Sequence, residues 1–239
     1  MVVFFDIDGT LWDSRALVAE GYNIQLKAEG LGHLCVTAED LKPLFGKVMT
    51  EIADVIFAEL PPEVRYPLME RCMDTENRYL HEHPCQIGYA DVKQTMEQLA
   101  QSHRLFIVSN SQCGYPELCM EKLGLTPFIE GHLCFGDTGT SKGKTIRTLM
   151  EKHGIGTCAY VGDTQGDYEA TVFSPYSHNR RFRQYFVEGK PFDKLAEGYY
   201  TVEALLKLSR QYGVELPIAQ VVHDILYEHA DPREAIMTL

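Results

Sequence analysis

Asp6 and Asp8 stand two apart at the end of an apolar run, Val2-Val3-Phe4-Phe5, within Asp6-Ile7-Asp8-Gly9-Thr10-Leu11. Residues two apart on a strand point to the same side, so both carboxylates belong to one strand tip. Ligands of open α/β sheets bind at the carboxyl ends of strands. Two carboxylates there repel each other unless a cation lies between them, and hard oxygen ligands suit Mg²⁺. Similar chemistry recurs downstream. Leu105-Phe106-Ile107-Val108 ends at Ser109-Asn110-Ser111, and Cys158-Ala159-Tyr160-Val161 at Gly162-Asp163-Thr164-Gln165-Gly166-Asp167. Between these lies Ser141-Lys142-Gly143-Lys144. Carboxylates for a metal, a hydroxyl and an amide for an anion's oxygens, and an ammonium for its charge form one coherent set. Such a set suits phosphoryl transfer, where catalysis is mostly positioning and charge stabilisation. A carboxylate can also be the nucleophile, through an aspartyl-phosphate. Either Lys142 or Lys144 can be the inward-facing ammonium, with Lys142 favoured. Asp167 has a second reading as a helix-start acid facing the dipole.

The elements that must hold these residues follow from the pattern. Short apolar runs at 2–5, 105–108, 132–135 and 158–161 read as buried strands. Helical segments at 91–99, 116–123 and 145–153 precede the last three in turn. Strands alternating with helices imply an α/β fold with a doubly wound parallel sheet. Residues 14–83 carry no period-two alternation and read as several helices inserted after strand one, with helical segments at 38–45, 50–59 and 64–80. Thr37-Ala38-Glu39-Asp40 has the form of a helix start, and Pro61-Pro62 breaks the segment. After about Ala170 the alternation ceases; Thr171-Val172-Phe173 offers at most a strand stub. Ile218, Val221, Val222, Ile225 and Leu226 recur at helical spacing, and Asp231-Pro232-Arg233-Glu234 orders an N-cap, a first-turn proline and a capping-box acid. His81-Glu82-His83 reads as a solvated helix end, and Cys113 and Cys119 as small buried hydrophobes.

Composition narrows the function classes. The 239 residues carry a formal net charge of −12. Nucleic-acid binding needs a basic face, and an acidic chain does not suit an anionic membrane surface. No apolar run has the length of a bilayer span, and the start of the chain has no charged n-region of a signal peptide. Seven cysteines without a Cys-x-x-Cys suggest neither a disulfide framework nor a zinc site, so a reducing cytoplasm is expected. Nothing in the sequence specifies an oligomeric state.

Residues 1–170 resemble the haloacid dehalogenase-like hydrolases, in particular the phosphoglycolate phosphatase-like branch with a helical cap after strand one. The resemblance rests on Asp6-Ile7-Asp8-Gly9-Thr10-Leu11 with Asp13-Ser14, on Val108-Ser109-Asn110-Ser111, on Ser141-Lys142-Gly143 and on Gly162-Asp163-Thr164-Gln165-Gly166-Asp167. It implies a HAD-like, Rossmann-like core from 1–13 and 84–170 and a cap from 14–83. It also implies a phosphoric monoester hydrolase acting on a small phosphorylated metabolite such as 2-phosphoglycolate or a sugar phosphate. The roles it implies are Asp6 as nucleophile and Asp8 as acid/base, with Ser109 and Asn110 holding the phosphoryl group. Lys142 neutralises charge, and Asp6, the Asp8 carbonyl and Asp163 ligate Mg²⁺ with support from Asp167.

The tail, 171–239, resembles the C-terminal end of NAD(P)-dependent glycerol-3-phosphate dehydrogenase. The matching pieces are Ser174-Pro175-Tyr176-Ser177-His178-Asn179-Arg180-Arg181-Phe182, Ala196-Glu197-Gly198, Tyr212-Gly213-Val214-Glu215-Leu216-Pro217-Ile218 and Tyr227 to Ala235. Ser177, Asn179 and Glu197 match positions by substrate phosphate and cofactor in that family, whereas His178 replaces an arginine. No Gly-x-Gly-x-x-Gly opens a helix after a strand, so the cofactor-binding half has no counterpart here. The expected chain is a hybrid of phosphatase and dehydrogenase remnant. The alternatives are an inactive hybrid and a dehydrogenase activity carried by the tail.

Overall fold

The computed structural model describes residues 1–172, 197–213 and 215–237, together with the single positions 185 and 190. It falls into two compact units, 1–171 and 172–239.

The first unit is built on four parallel strands in the order β3-β2-β1-β4: β1 (Val2–Phe5), β2 (Arg104–Ser109), β3 (Ile129–Cys134) and β4 (Ala159–Val161). Both faces of the central strands are apolar, which is why their sequences read as continuous runs. Val3, Phe5, Leu105 and Ile107 pack on one side with Met96, Leu118 and Cys119. Phe4, Phe106 and Val108 pack on the other with Ile146, Leu149 and Ile155. These partners come from helices α5 (Val92–Ala100) and α6 (Tyr115–Leu123) on the first face and, on the second, from α8 (Lys142–Lys152) and, for Ile155, the turn that follows it. Each fully buried Phe or Leu contributes about 1.5–3 kcal/mol, so the sheet is held firmly at its centre, where the strand tips carry Asp6 and Ser109.

The insertion after β1 is helical, as expected: α1 (Arg15–Ala28), α2 (Ala38–Leu41), α3 (Met49–Ile56) and α4 (Pro62–Glu82). It has its own apolar cluster, including Tyr22, Leu26, Leu41, Phe57 and Leu68. The α2 start is a capping box between Thr37 and Asp40. The two chain crossings between core and insertion lie side by side, with Asp13 N–H donating to Ile87 O at 2.9 Å and Tyr89 N–H to Leu11 O at 3.1 Å.

The helices expected at 38–45 and 50–59 are shorter, ending at Leu41 and Ile56, and three boundaries in the core also differ from the sequence reading. β3 spans 129–134, and Phe135 instead opens a short helix, α7 (Phe135–Thr138), because Asp137 turns back to accept from the Cys134 N–H at 2.8 Å. α8 begins at Lys142, since the Lys144 and Thr145 N–H groups already bond to Ser141 O. Thr171 and Val172 are not a strand stub; they finish helix α9 (Gln165–Val172). Phe173 lies outside the described residues.

The second unit is helical where described, with helices at Glu197–Tyr212, Pro217–Tyr227 and Pro232–Ile236. Val202 and Leu206, one helical turn apart, are buried. Asp231 caps the last helix by accepting from the Glu234 N–H at 3.2 Å. Glu197 opens the first helix; Ser177, His178 and Asn179 lie outside the described residues. Among the described residues no helix is long and apolar enough to cross a membrane.

Candidate active site

The loop ends of β1 and β4 and the start of α8 converge on one ammonium. Lys142 Nζ lies 3.0 Å from Asp6 Oδ2 and 2.5 Å from Asp167 Oδ1, and all three side chains are buried. Lys144, the competing candidate, is exposed. Asp6 is fixed by its backbone as well, its N–H donating to Val161 O at 2.8 Å. Burial raises the Asp6 carboxyl to about 7; Lys142 opposes this, and the charges of Asp167 and Asp8 add to it. Burial also pushes Asp167 upward, but Lys142 and the Thr164 hydrogen bonds outweigh it and hold the group below its ordinary value. Burial pulls Lys142 down, yet Asp6 and Asp167 together leave it raised. At neutral pH the ammonium therefore keeps its charge.

Asp167 is a helix-start acid that also faces the ammonium. Its Oδ2 accepts from Thr164 N–H at 3.0 Å and Thr164 Oγ1 at 2.7 Å, a reciprocal cap at the start of α9, while Oδ1 faces Lys142. Gly162 makes room for this: a Cβ there would lie 2.5 Å from Asp167 Cγ.

Asp8 is held by a separate set of donors. Its Oδ1 accepts from Trp12 Nε1 at 2.9 Å, Ser14 Oγ at 2.8 Å and Tyr115 OH at 2.7 Å. Burial raises its carboxyl, against the pull of those three bonds. Trp12 and Ser14 come from the turn after β1, whereas Tyr115 opens α6. The sequence reading missed Trp12 and Tyr115. Trp12 is the chain's one tryptophan, four residues past Asp8, which is a local signal; Tyr115 lies 107 residues from Asp8 and has none.

Asp163 is exposed at the same tip. Thr10 Oγ1 donates to its Oδ1 at 3.4 Å, and burial of part of the group raises its carboxyl. Gly9 is required here: its φ is +79°, and a Cβ would fall 2.0 Å from Asp163 Oδ2. Carboxylate oxygens of Asp6, Asp163 and Asp167 all lie within 4.8 Å of one another. An all-oxygen set of this kind fits Mg²⁺. The Asp8 side chain is not part of that cluster.

Ser109 is buried at the end of β2, its Oγ accepting from Ser111 N–H at 3.2 Å. Asn110 turns toward the insertion and gives its Nδ2 to Gly46 O at 2.7 Å. Gln112 Nε2 donates to Glu76 Oε1 at 3.2 Å and Asn77 Oδ1 at 3.0 Å, both on α4. Asn77 Nδ2 in turn reaches Cys113 O at 3.1 Å. The loop that follows β2 thus ties the insertion to the core beside Asp6 and Asp8. Of the two cysteines expected to be buried, Cys119 is, but Cys113 is exposed because it rides on this latch loop at the surface.

Residues 3–172 match the family model of the haloacid dehalogenase-like hydrolases. The chain belongs to that family. Residues 142–237 match the model of the NAD-dependent glycerol-3-phosphate dehydrogenase C-terminus. The two matches overlap over 142–172, so the dehydrogenase likeness begins upstream of the change in character seen near Ala170. Among solved structures, a haloacid dehalogenase-like family hydrolase from Streptococcus pneumoniae is similar with TM-score 0.59 and 18% identity, covering 71% of this chain and 78% of that one. A predicted phosphoglycolate phosphatase from Haemophilus somnus gives TM-score 0.58 and 21% identity over 71% and 79%. Both share the fold. Among curated proteins, glycerol-3-phosphate dehydrogenase [NAD(P)+] of Francisella tularensis subsp. novicida is 33% identical over 102 residues, 39% of this chain. The chain spans 31% of that relative's length.

Proposed function

We propose that this chain is a Mg²⁺-dependent phosphatase of small phosphorylated metabolites that works through an aspartyl-phosphate on Asp6. The observation that carries the reading is the buried Asp6–Lys142–Asp167 group beside an independently held Asp8. Lys142 keeps Asp6 in line and its charge available at neutral pH. An Asp6 oxygen attacks phosphorus, the P–O bond to the alcohol breaks, and the departing oxygen takes the proton of Asp8. Among the described residues the three hydrogen bonds to Asp8 all go to Oδ1, which leaves Oδ2 to carry that proton. Burial favours the protonated form. Asp8 then removes a proton from water, whose oxygen attacks the aspartyl-phosphate, releasing phosphate and restoring Asp6.

Ser109 and Asn110 border the space above Asp6 and are assigned to the phosphoryl oxygens. Asp6, Asp163 and the Asp8 carbonyl would hold Mg²⁺, with Asp167 in support; bound there, the ion neutralises charge on the phosphoryl oxygens. The closed cap excludes water from the first step. The likeness of the tail to a dehydrogenase favours no redox reading of these residues, because among the described residues no dinucleotide-binding glycine motif opens a helix after a strand.

The test is phosphate release from a panel of phosphate esters with excess Mg²⁺. Asp6→Asn is expected to lower kcat by roughly a thousandfold or more. An Asp6→Asn protein that releases phosphate as fast as the parent would sink the proposal.

A further inference from the structure

Three donors apart from the β1 tip converge where β2 and β3 end. Cys113 comes from the loop after β2, Cys134 ends β3, and Asp137 belongs to α7. Their ligating atoms, two sulfurs and a carboxylate oxygen, all lie within 4.8 Å of one another. Cys113 Sγ donates to Asp137 Oδ1 at 3.6 Å, and Cys134 Sγ to Asp137 Oδ2 at 3.1 Å. Around a tetrahedral Zn²⁺, with Zn–S about 2.3 Å and Zn–O about 2.0 Å, a sulfur and an oxygen stand about 3.5 Å apart and two sulfurs about 3.8 Å. The three side chains are already near that spacing. Chain spacing alone hid the set: Cys134-Phe135-Gly136-Asp137 puts a carboxylate where a Cys-x-x-Cys pair has its second thiol, and Cys113 joins from another loop.

The approach of the two loops is built into the backbone. Gly136 N–H donates to Ser111 O at 3.0 Å, and Cys134 Sγ also lies 3.3 Å from Gln112 O. A Cβ on Gly136 would fall 2.4 Å from Cys113 N and 2.9 Å from Cys113 Sγ, so the absence of a side chain there lets Cys113 come this close. Cys134 is buried, whereas Cys113 and Asp137 are exposed, which gives an ion a route in from solvent. Burial pushes the Asp137 carboxyl up, but the bonds from Cys134 and Cys113 outweigh it and hold the group below its ordinary value. Burial and Asp137 push both thiols up, Cys134 to about 12. Both are neutral thiols at physiological pH, unlike the low-pKa thiolates of redox sensors.

We propose that Cys113, Cys134 and Asp137 form a binding site for Zn²⁺ that pins the loop after β2 to the end of β3. Sulfur ligands select this borderline-soft ion over the Mg²⁺ that suits the all-oxygen cluster at Asp6. On binding, the two thiols release their protons to water, two Zn–S bonds and one Zn–O bond form, and nothing is oxidised or reduced. Water completes the coordination on the exposed side. Gln112 and Cys113 of the pinned loop carry the ties to Glu76 and Asn77 of α4, so the ion also stiffens the contact between insertion and core. The inference does not depend on the phosphatase reading.

The experiment uses the full chain, reduced with a phosphine, freed of metal with a chelator that is then removed, and held in excess Mg²⁺ to occupy the acidic cluster. Co²⁺ is titrated in as a coloured stand-in, followed by Zn²⁺. We expect thiolate-to-cobalt charge-transfer absorption that saturates near about one equivalent and is abolished by Zn²⁺; an all-oxygen site gives no such band. Cys113→Ser, at an exposed position, should weaken Zn²⁺ binding by about a hundredfold or more. Asp137→Asn keeps an acceptor for the Cys134 N–H and should weaken it by about tenfold. Cys35→Ser, at an exposed cysteine of the insertion, should leave the band intact. A parent without the band overturns the site, as does unchanged affinity in either folded variant, Cys113→Ser or Asp137→Asn. A band lost in Cys35→Ser overturns it as binding by stray surface thiols. A Cys113–Cys134 disulfide found by non-reducing mass spectrometry, with no cobalt band in the reduced protein, overturns it in favour of a redox pair.

Discussion

Lys142→Met takes one ammonium from between two buried carboxylates, 3.0 Å from Asp6 and 2.5 Å from Asp167. At an effective dielectric constant near 20, each contact corresponds to about 5–7 kcal/mol of attraction. Desolvating the ions offsets several kcal/mol apiece, and removing one partner of such a group costs about 3–5 kcal/mol. That is a large share of the ~5–15 kcal/mol that holds a domain together. The sign of the pH dependence follows from the same contacts. In the parent, the lowered Asp167 group contributes stability that is present above its ordinary 3.8 and lost only as pH falls through its lower folded value. Without Lys142, Asp6 and Asp167 face each other with no cation between them, and both are pushed up. The folded variant then holds protons that the unfolded chain releases, so its stability falls as pH rises. Asp6 sits at about 7 even with Lys142 in place, so the deficit is fully developed only above that pH and shrinks toward pH 4. Urea denaturation at pH 4.5 and pH 8, with chelator and no added Mg²⁺, measures it. A deficit below about 1 kcal/mol at pH 8, or one equal at both pH values, would refute the account of the site.

Three further changes probe the neighbours of this group. Mg²⁺ at about a hundred times its dissociation constant should raise the unfolding free energy by about 3 kcal/mol, and Asp163→Asn should abolish that shift in a thermal melt. Gly9→Ala puts a Cβ 2.0 Å from Asp163 Oδ2 at a φ of +79°. It should cost about 1–3 kcal/mol in backbone strain and displace Asp163, so the Mg²⁺ shift should vanish in this variant as well. Burial raises Glu76 from 4.5 to about 8, so the parent loses stability as pH climbs through that window. The gap corresponds to at most about 5 kcal/mol, and Glu76→Gln should gain on the parent over the same range; parallel denaturation curves would rule this out.

What the sequence disclosed was chemistry carried on consecutive residues. Asp6, Asp8, Ser109, Asn110, Asp163 and Asp167 all follow strand runs that are apolar on both faces, a pattern readable without coordinates. Lys142 against Lys144 was left open because one turn of α8 decides it, and the start of that helix depends on Ser141 accepting from two N–H groups. Tyr115, Gln112 and Glu76 were invisible for a different reason. Gln112 and Glu76 meet across the gap between cap and core, and Tyr115 reaches Asp8 within the core; each partner lies more than thirty residues away. Spacing along the chain carries no trace of such contacts. The exposed Cys113 was misread on composition alone, since a cysteine on a tightly latched loop is not a core residue.

The place of β4 in the sheet poses a mechanical question that the contacts answer. Among the described residues β4 pairs only with β1, over three positions, and Val161 is 43% exposed. A strand this short on one neighbour is weak support for the loop that carries Asp163 and Asp167. The loop is instead tied at four other points. Val161 O accepts from Asp6 N–H at 2.8 Å, and Tyr160 OH donates to Val108 O at 2.8 Å, across β1 to β2. Thr164 and Asp167 cap α9 reciprocally. Gly143 of α8 lets α9 approach until a Cβ there would stand 3.0 Å from Ala170 O. Lys142, one residue earlier, then joins α8 to both loops through Asp6 and Asp167. The polar groups to which the chemistry is assigned are therefore also the brace of the sheet's weakest strand. It follows that substitutions at Lys142 or Asp167 should lower activity and local stability together, read as faster amide exchange at Tyr160 and Val161 than at Phe106. Equal protection at those positions in parent and variant would show that β4 is held by something other than the site.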